Sequence, residues 1–438
     1  MNASPLLPMS LPPLTGAKVL VWGFGRHGGG MAAGRFCAER GAEVAVLDAR
    51  PAREFGPEAD QARTRGWAWH VGDASHPAFH RADLVVASPA IPPRAWPAVH
   101  PPMASPEGLF FSAHRGPRVA VTGTKGKSTT TRILATLLGW KVGGNSYEPL
   151  LDVLAREGDA VPLVCELSSF QLWYLREQRP AFAAAVVSTL AVDHLDWHPD
   201  IAHYHAAKLA LLDWVPCAAV AAEALAHVPA GCRPLPAFTA DQTSFHDPDG
   251  QVIAARRDLR LIGDHNARNA CLALAVAQEL KIPATTIPGR LAEVVGLPHR
   301  LQEVHAGGGW RFVNDSIATT PESAMAGLLA ISGPLAVILG GSDKGADFAH
   351  LARCVAARGA RPVLIGQTAP AIQSRLAEVG VVADIRASLE AALAHAVDLL
   401  PDGGTVLLSP ACASFDMFRG FEDRGERFAA AAKRLRLG

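Results

Sequence analysis

Hydrophobic residues gather in short unbroken runs along the chain. These are Lys18–Trp22, Glu43–Asp48, the segment opening at Asp83, Arg118–Thr122, Val161–Glu166, Ala185–Leu190, Trp310–Ser316, Leu335–Gly341 and Thr405–Pro410. The runs do not alternate with polar positions, which predicts strands covered on both faces, as in parallel sheets. Between them lie stretches with helical spacing, among them Thr131–Leu138, Tyr204–Ala210 and the alanine-rich segment after Asn269. Strand and helix alternation predicts an α/β protein. Prolines at 92, 93, 97, 101, 102 and 106 mark a connection and a first boundary near 108. The pattern changes again after Gly296-Leu-Pro-His-Arg300, so the expected division is 1–108, 109–302 and 303–438. At about 100–200 residues per domain, 438 residues suit two or three domains.

Composition narrows the classes. Hydrophobic residues make up 49% and charged residues 19%, the balance of a chain that buries a core. Lys and Arg number 41, as do Asp and Glu, so the formal net charge is zero and neither nucleic acid nor an anionic membrane is an expected partner. No apolar run approaches the roughly 20 residues of a membrane-crossing helix. The seven cysteines are scattered with no C-x-x-C pair, which points to reduced thiols and a cytoplasmic setting. Met1–Thr15 is proline-rich and reads as a lead-in rather than a signal peptide.

The strongest chemical signal is Gly123-Thr-Lys-Gly-Lys-Ser-Thr-Thr130, between the run Arg118–Thr122 and the helical pattern after it. Strand, glycine loop and helix make a phosphate cradle, because glycine lets backbone N–H groups approach the oxygens and the helix N-terminus favours negative charge. Lys127 is placed for the outer phosphates and Ser128 for a Mg²⁺. The usual phosphate loop has four residues between its glycines, whereas Gly123 and Gly126 are separated by two.

Other motifs are weaker alone. Gly23-Phe-Gly-Arg-His-Gly28 follows a strand and precedes Asp48, a βαβ fingerprint that reads as a dinucleotide site or as glycines needed only for packing. Glu166 ends an apolar run, where a carboxylate needs a partner or a metal. Asp193-His-Leu-Asp-Trp-His198 crowds histidine and carboxylate at a strand end, with His194 the candidate ligand and His198, His203 and His205 expected at the surface. By its position alone Lys208 reads as a solvated helix residue. Asp264, His265 and Asn266 open a helix, where polar residues also serve as caps.

The shortened loop, Glu166-Leu-Ser-Ser-Phe-Gln-Leu172, Gly263-Asp-His-Asn-Ala-Arg-Asn-Ala270, Asn314-Asp-Ser-Ile-Ala-Thr319 and Ser409-Pro-Ala-Cys-Ala-Ser-Phe-Asp416 occur in order over nearly the whole chain. Together they resemble the Mur ligase family of ATP-dependent amide-forming enzymes, and most nearly its glutamate-adding members. The resemblance implies a three-domain α/β fold: a Rossmann-like N-terminal domain, a central phosphate-loop ATPase-like parallel-sheet domain, and a Rossmann-like C-terminal domain. It implies ATP on Gly123, Thr124, Lys125, Gly126, Lys127, Ser128 and Thr129, with Asn266 at the adenine and Arg300 and Asp315 beside the nucleotide. It implies that UDP-N-acetylmuramoyl-L-alanine lies on Arg26 and His27 at the diphosphate and Asp48 and Arg50 at the uracil, with Asn145 and His194 nearby. Two Mg²⁺ would be held by Ser128, Glu166, His194 and Lys208, the last as a carbamate, with Lys127, His194 and Lys208 catalytic. Glutamate would meet Thr319, Lys344, Ser414 and Phe421. A cytoplasmic monomer acting in peptidoglycan precursor synthesis is expected, with small-molecule partners only.

The chain departs from the family pattern at Ala90, for a glycine, at Ile317, for a lysine, and at Lys125, where asparagine is common. A divergent branch that adds L-glutamate resembles this chain at the last two positions, whereas Lys344, Ser414 and Phe421 suit D-glutamate, which is favoured. Alternatives are a Mur-type ligase adding another amino acid or peptide, a folate ligase (which would lack the first domain), a nicotinamide oxidoreductase built on Gly23–Asp48, and a non-catalytic nucleotide-binding regulator. The oxidoreductase leaves the phosphate loop unexplained, and the regulator would have lost its metal ligands.

Overall fold

Three parallel sheets follow one another along the chain, each built from the apolar runs of its own segment. The computed structural model describes residues 13–25, 28–343 and 345–435. Arg26, His27 and Lys344, expected at the diphosphate and at glutamate, lie outside the described residues. The first segment comprises β1 (Lys18–Trp22), α1 (Gly29–Ala38), β2 (Glu43–Asp48), α2 (Pro57–Thr64), β3 (Ala68–Val71), α3 (Pro77–His80), β4 (Leu84–Ala87) and β5 (Met103–Ala104). Its strand order is β3-β2-β1-β4-β5, all parallel. The proline run leads into α4 (Pro106–Ala113), whose first turn is capped by Ser105 Oγ accepting from Gly108 N.

The second segment holds β6 (Arg118–Thr122), α5 (Lys127–Leu138), β7 (Lys141–Gly144), α6 (Leu150–Glu157), β8 (Leu163–Glu166), α7 (Ser169–Leu175), β9 (Ala184–Val187), α8 (Ile201–Leu209), β10 (Cys217–Val220) and β11 (Arg233–Pro234). Their order is β11-β10-β9-β6-β8-β7. The chain runs from β6 to the edge at β7, back to β8, then to the other side of β6. The loop after β6 is therefore at the switch point, where open α/β sheets bind ligands. A small antiparallel sheet follows, β12 (Thr239–Ala240), β13 (Ser244–His246) and β14 (Val252–Ala255), then α9 (Asp264–Glu279) and α10 (Ile287–Ala292).

The last segment comprises β15 (Gln302–Gly307), β16 (Trp310–Asn314), α11 (Pro321–Ala330), β17 (Leu335–Leu339), α12 (Ala349–Arg358), β18 (Arg361–Leu364), α13 (Ala369–Glu378), β19 (Asp384–Ile385), α14 (Leu389–Asp398), β20 (Gly404–Leu408) and α15 (Phe421–Arg434). Its order is β15-β16-β20-β17-β18-β19, with β15 antiparallel to β16. Leu335, Val337 and Leu339 enter one buried cluster, and Ala336 and Ile338 enter another on the opposite face. That two-sided burial is why the run shows no alternation. Two compact units result: Met1–Asp258 with Arg268–Glu293, and Leu259–Ala267 with Val294–Gly438. The first unit contains two of the parallel sheets and the second contains one.

Candidate active site

The loop after β6 is held in shape by its own sheet. Gly123 has φ +143°, and a Cβ there would stand 2.9 Å from Thr189 N and closer still to Ser188 Oγ. Gly126 has φ +85° and caps α5, and a Cβ would meet the Asn269 side chain. Only glycine fits both places. Ser188 Oγ donates to Lys125 O at 2.6 Å, and Lys125 N donates to Thr189 Oγ1 at 2.8 Å. Tyr204 Oη donates to Thr124 Oγ1 at 3.0 Å, tying α8 to the loop. Ser128 and Thr129 continue into the first turn of α5, with Thr129 buried. The result is a preformed set of backbone amides at a helix N-terminus, suited to phosphate.

Two lysines converge on that loop. Lys127 Nζ donates to Gly123 O and Thr124 O at 3.0 Å each. Lys208 Nζ donates to Gly123 O at 2.7 Å and is 1% exposed. Burial above all, then the charge of Lys127, push the Lys208 amine down to about 6, against Asp193 and Glu166. Its amine is therefore largely uncharged at neutral pH, and the helix-surface reading of Lys208 is corrected. Tyr204 and Ala207, on the same helix as Lys208, are buried with it, so this face of α8 lies against the sheet.

Glu166 ends β8, paired in register with Val121 and Gly144, and is fully buried. Its Oε1 accepts from Asn145 Nδ2 at 2.8 Å and Ser146 Oγ at 2.9 Å, while Oε2 is buried without a hydrogen-bond partner. A buried carboxylate oxygen left in this state is costly unless a cation meets it. The set Ser128, Glu166, His194 and Lys208, expected to hold a divalent cation, contains this unpartnered oxygen. Among the described residues no three His, Cys, Asp or Glu side chains form a metal cluster, and this set includes only two of those types.

His194 has φ +53°, packs edge-on against Phe170 at 4.8 Å and lies 6.1 Å from the Tyr204 ring. A histidine in that backbone region costs energy that its surroundings must supply. Its carbonyl accepts from Trp197 N and His198 N, and Asp193 Oδ1 accepts from its own N–H. His198 corrects the surface expectation: it is fully buried, with Nδ1 2.7 Å from His203 Nδ1 and Nε2 3.0 Å from Ser169 Oγ. Burial, then His203 and Lys208, push it down to about 4, so it is a neutral ring bridging the starts of α7 and α8.

In the first sheet Asp48 is buried at the end of β2. Its Oδ2 accepts from Phe24 N at 2.9 Å and its Oδ1 from Arg50 N at 3.0 Å. The carboxylate thereby fixes the loop after β1, and Arg50 lies over the Phe55 ring at 4.4 Å.

In the second unit Asp315 and Thr319 lie on the loop after β16 and Ser414 on the loop after β20, while Asn266 is in α9, Arg300 precedes β15 and Phe421 opens α15. Asp315 is 5% exposed, and burial pushes it up to about 6 against hydrogen bonds from Ser409 Oγ (2.7 Å) and Leu301 N (3.2 Å). Arg300 is exposed between His299 and Leu301, both at positive φ. Asn266 is buried, its Nδ2 donating to Ile262 O at 2.8 Å, and so closes the turn into α9. Ser414 is buried, Thr319 and Phe421 are half-buried, and Phe421 O accepts from Ser316 Oγ at 2.8 Å. Ala411, at φ +63°, is held by its N–H to Ala318 O, which pins the β20 loop to the β16 loop. The sequence assigns no role to Ser188, Thr189, Tyr204, Asn269 or Arg424, although Asn269 stands in the Gly263–Ala270 stretch and Arg424 is spaced with the buried Phe428 and Ala432.

Comparisons with known proteins identify the family and the fold. Residues 121–225 match the Mur ligase middle domain and residues 299–412 the Mur ligase glutamate ligase domain. The UDP-N-acetylmuramoylalanine–D-glutamate ligase of Roseiflexus sp. (strain RS-1) is 34% identical over 460 aligned residues, covering 95% of this chain and 98% of that protein. The enzyme of the same name from Methylobacillus flagellatus is 36% identical, covering 95% and 97%. Among solved structures, UDP-N-acetylmuramate-alanine ligase MurC from Thermotoga maritima shares the fold at TM-score 0.61 and 17% identity, covering 95% of this chain and 99% of its own. MurF ligase from the same organism, solved with ADP, aligns at TM-score 0.55 and 14% identity over 97% and 100%. With two-thirds and more of its length aligned at over 30% identity, this chain belongs to the Mur ligase family.

Proposed function

We propose that this chain is an ATP-dependent ligase that joins glutamate to UDP-N-acetylmuramoyl-L-alanine, a step of peptidoglycan precursor synthesis. The observation that supports this most is the convergence of Lys127, buried Lys208 and the half-satisfied Glu166 carboxylate at the end of the central sheet. In the reaction, a carboxylate oxygen of the nucleotide substrate attacks the γ-phosphorus of ATP. The bond to the bridging oxygen breaks, ADP leaves and an acyl phosphate forms. The amine of glutamate then attacks the acyl carbon, the C–O bond to phosphate breaks, and the nitrogen gives up a proton. Lys127 and the amides at the start of α5 hold the phosphoryl oxygens and offset their charge. The uncharged amine of Lys208 can add to CO₂ and release a proton, becoming a carbamate. Ser128, Glu166, His194 and that carbamate would hold two Mg²⁺, which supply further positive charge at the transferring group.

ATP would lie along Gly123–Thr129 with Asn266, Arg300 and Asp315. The nucleotide substrate would use Arg26, His27, Asp48, Arg50, Asn145 and His194, and glutamate would use Thr319, Lys344, Ser414 and Phe421. The division we favour is 1–108 for the nucleotide substrate, 109–302 for ATP and 303–438 for the amino acid, acting as a cytoplasmic monomer. Among the described residues no helix is long and apolar enough to cross a membrane. The names of the curated relatives support D-glutamate, and Ile317, where the family carries a cation, keeps L-glutamate as a second reading. Phosphate release from ATP, measured with the nucleotide substrate and each glutamate isomer in turn, tests the assignment. Release that requires all three components supports it, and faster release with L-glutamate selects the second reading. No release with either isomer overturns both.

A further inference from the structure

Two hydrogen-bond donors meet one oxygen of the buried Glu166 carboxylate, and none meets the other. Glu166 ends β8 with 0% exposure. Asn145 Nδ2 donates to its Oε1 at 2.8 Å and Ser146 Oγ to the same atom at 2.9 Å, while Oε2 is buried without a hydrogen-bond partner. A carboxylate only accepts, so the one proton of the Ser146 hydroxyl must point at Glu166. The hydroxyl oxygen in turn accepts from Asn145 Nδ2 at 3.1 Å. The three side chains close a triangle in which the direction of every hydrogen bond is fixed.

The backbone holds this triangle in place. Gly144 pairs in register with Glu166 across β7 and β8, and Asn145 N donates to Glu166 O at 3.1 Å. The chain then turns, with Tyr147 N donating to Gly144 O at 2.7 Å. Tyr147 Oη donates to Ser128 O at 2.5 Å, in the first turn of α5. One short segment after β7 thus holds both Glu166 and Ser128, two of the residues expected at the metal. Asn145 and Ser146 are exposed, so neither is there to fill the core.

We propose that Ser146 is a positioning residue of the metal site: with Asn145 it reserves Glu166 Oε1 for hydrogen bonds and leaves Oε2 alone to a cation. The inference rests on the ligase reading above and deepens it, since it names what selects the metal. A carboxylate limited to one oxygen suits Mg²⁺ or Mn²⁺, which are octahedral. Ca²⁺ is larger, takes more oxygen ligands and often uses both oxygens of one carboxylate. Two donors on Oε1 therefore weigh against Ca²⁺. Partners that act on a metal through its ligand change the affinity roughly 10–100-fold.

The test measures binding rather than turnover, on the full chain, with Mn²⁺ as the probe and Ca²⁺ as its competitor. Electron paramagnetic resonance reads the free Mn²⁺. In Ser146→Ala the Mn²⁺ dissociation constant is expected to rise about tenfold while that of Ca²⁺ rises less than about threefold, so the preference for Mn²⁺ narrows. Ser146→Thr keeps the hydroxyl and is expected to restore the preference. Since Ser146 is exposed, both variants are expected to melt with the wild type. Equal changes in the two constants, no change in either, or no recovery with threonine would overturn the proposal. So would a wild-type protein that binds Mn²⁺ no more tightly than Ca²⁺. A wild-type protein that prefers Mn²⁺ but releases no phosphate from ATP with either glutamate isomer would instead overturn the ligase reading.

Discussion

Asp315 offers a prediction whose size and sign both follow from the structure. Its carboxyl group is pushed from 3.8 to about 6, chiefly by burial. A shift of that size corresponds to about 3 kcal/mol between the ionised and neutral forms. The folded pKa is raised, so the folded protein holds the proton more tightly than the unfolded chain. The contribution to stability is therefore present at low pH and lost as pH rises from about 4 to about 6. Asparagine at 315 never ionises, can accept from Leu301 N through its oxygen, and can donate to Ser409 Oγ through its nitrogen. Asp315→Asn is expected to stabilise the second unit, and the gain over wild type should be about 2 kcal/mol larger at pH 7.5 than at pH 4.5. Amide hydrogen exchange in β16 and β20, corrected for intrinsic rates, reads that unit directly. A gain of the same size at both pH values would refute the reasoning, since the two proteins differ only in whether residue 315 can ionise. The same substitution should lower turnover if, as proposed, the Asp315 carboxylate lies beside the nucleotide.

Three further substitutions test the first unit. Lys127→Ala is expected to lower turnover on the order of 10²–10³ with little change in melting temperature, and near-normal turnover would remove the phosphate loop from the chemistry. Lys208→Ala should be inactive and regain part of its activity with added formate or acetate, which can supply the missing oxygens; absence of rescue, with intact folding, would count against the carbamate. Asp48→Ala strands the Phe24 and Arg50 amides and should weaken the UDP-substrate by roughly 1–3 kcal/mol by calorimetry. Tight NAD binding with no affinity for the UDP-sugar would reverse the assignment of the first sheet.

Nine strands were legible because each is an apolar run, and most of their starts fall where the runs start; short or half-exposed strands such as β3, β15 and β19 carry no such run. Their ends were less so. Val161–Glu166 narrows to Leu163–Glu166, Ala185–Leu190 ends at Val187, Trp310–Ser316 at Asn314, and Thr405–Pro410 at Leu408. Burial continues past these points while ladder hydrogen bonding stops, and an apolar run reports burial alone. The overshoot falls on Ser188, Asp315, Ser316 and Ser409, residues of the loops where the site is built. The phosphate loop and Glu166 were readable because a glycine pair and a carboxylate stand out against apolar surroundings. His198 was not, since its burial comes from Phe170 and Trp197, which stack on each other at 4.8 Å and lie beside its ring. Such contacts leave no periodic trace in the sequence.

The two buried cations show why the sequence uses different residues for similar positions. Lys208 and Arg424 each rest on backbone carbonyls at the carboxyl edge of a parallel sheet, and neither has a carboxylate in hydrogen-bond contact. Burial acts on both in the same direction. An ammonium group under that pressure gives up its proton, and Lys127 beside it adds to the effect, so Lys208 becomes a neutral amine with a nucleophilic lone pair. A guanidinium group spreads its charge over three nitrogens and, with five hydrogen bonds made, keeps it. Exchanging the two residue types would therefore fail in opposite ways. Arginine at 208 would be a fixed cation unable to take up CO₂, and lysine at 424 would tend to lose its charge and could not reach all the acceptors that Arg424 holds. Burial presses both groups toward the neutral form, and the choice of side chain together with the neighbouring charge, Lys127 beside one and Asp416 near the other, leaves a reactive amine in one unit and a permanent charge in the other.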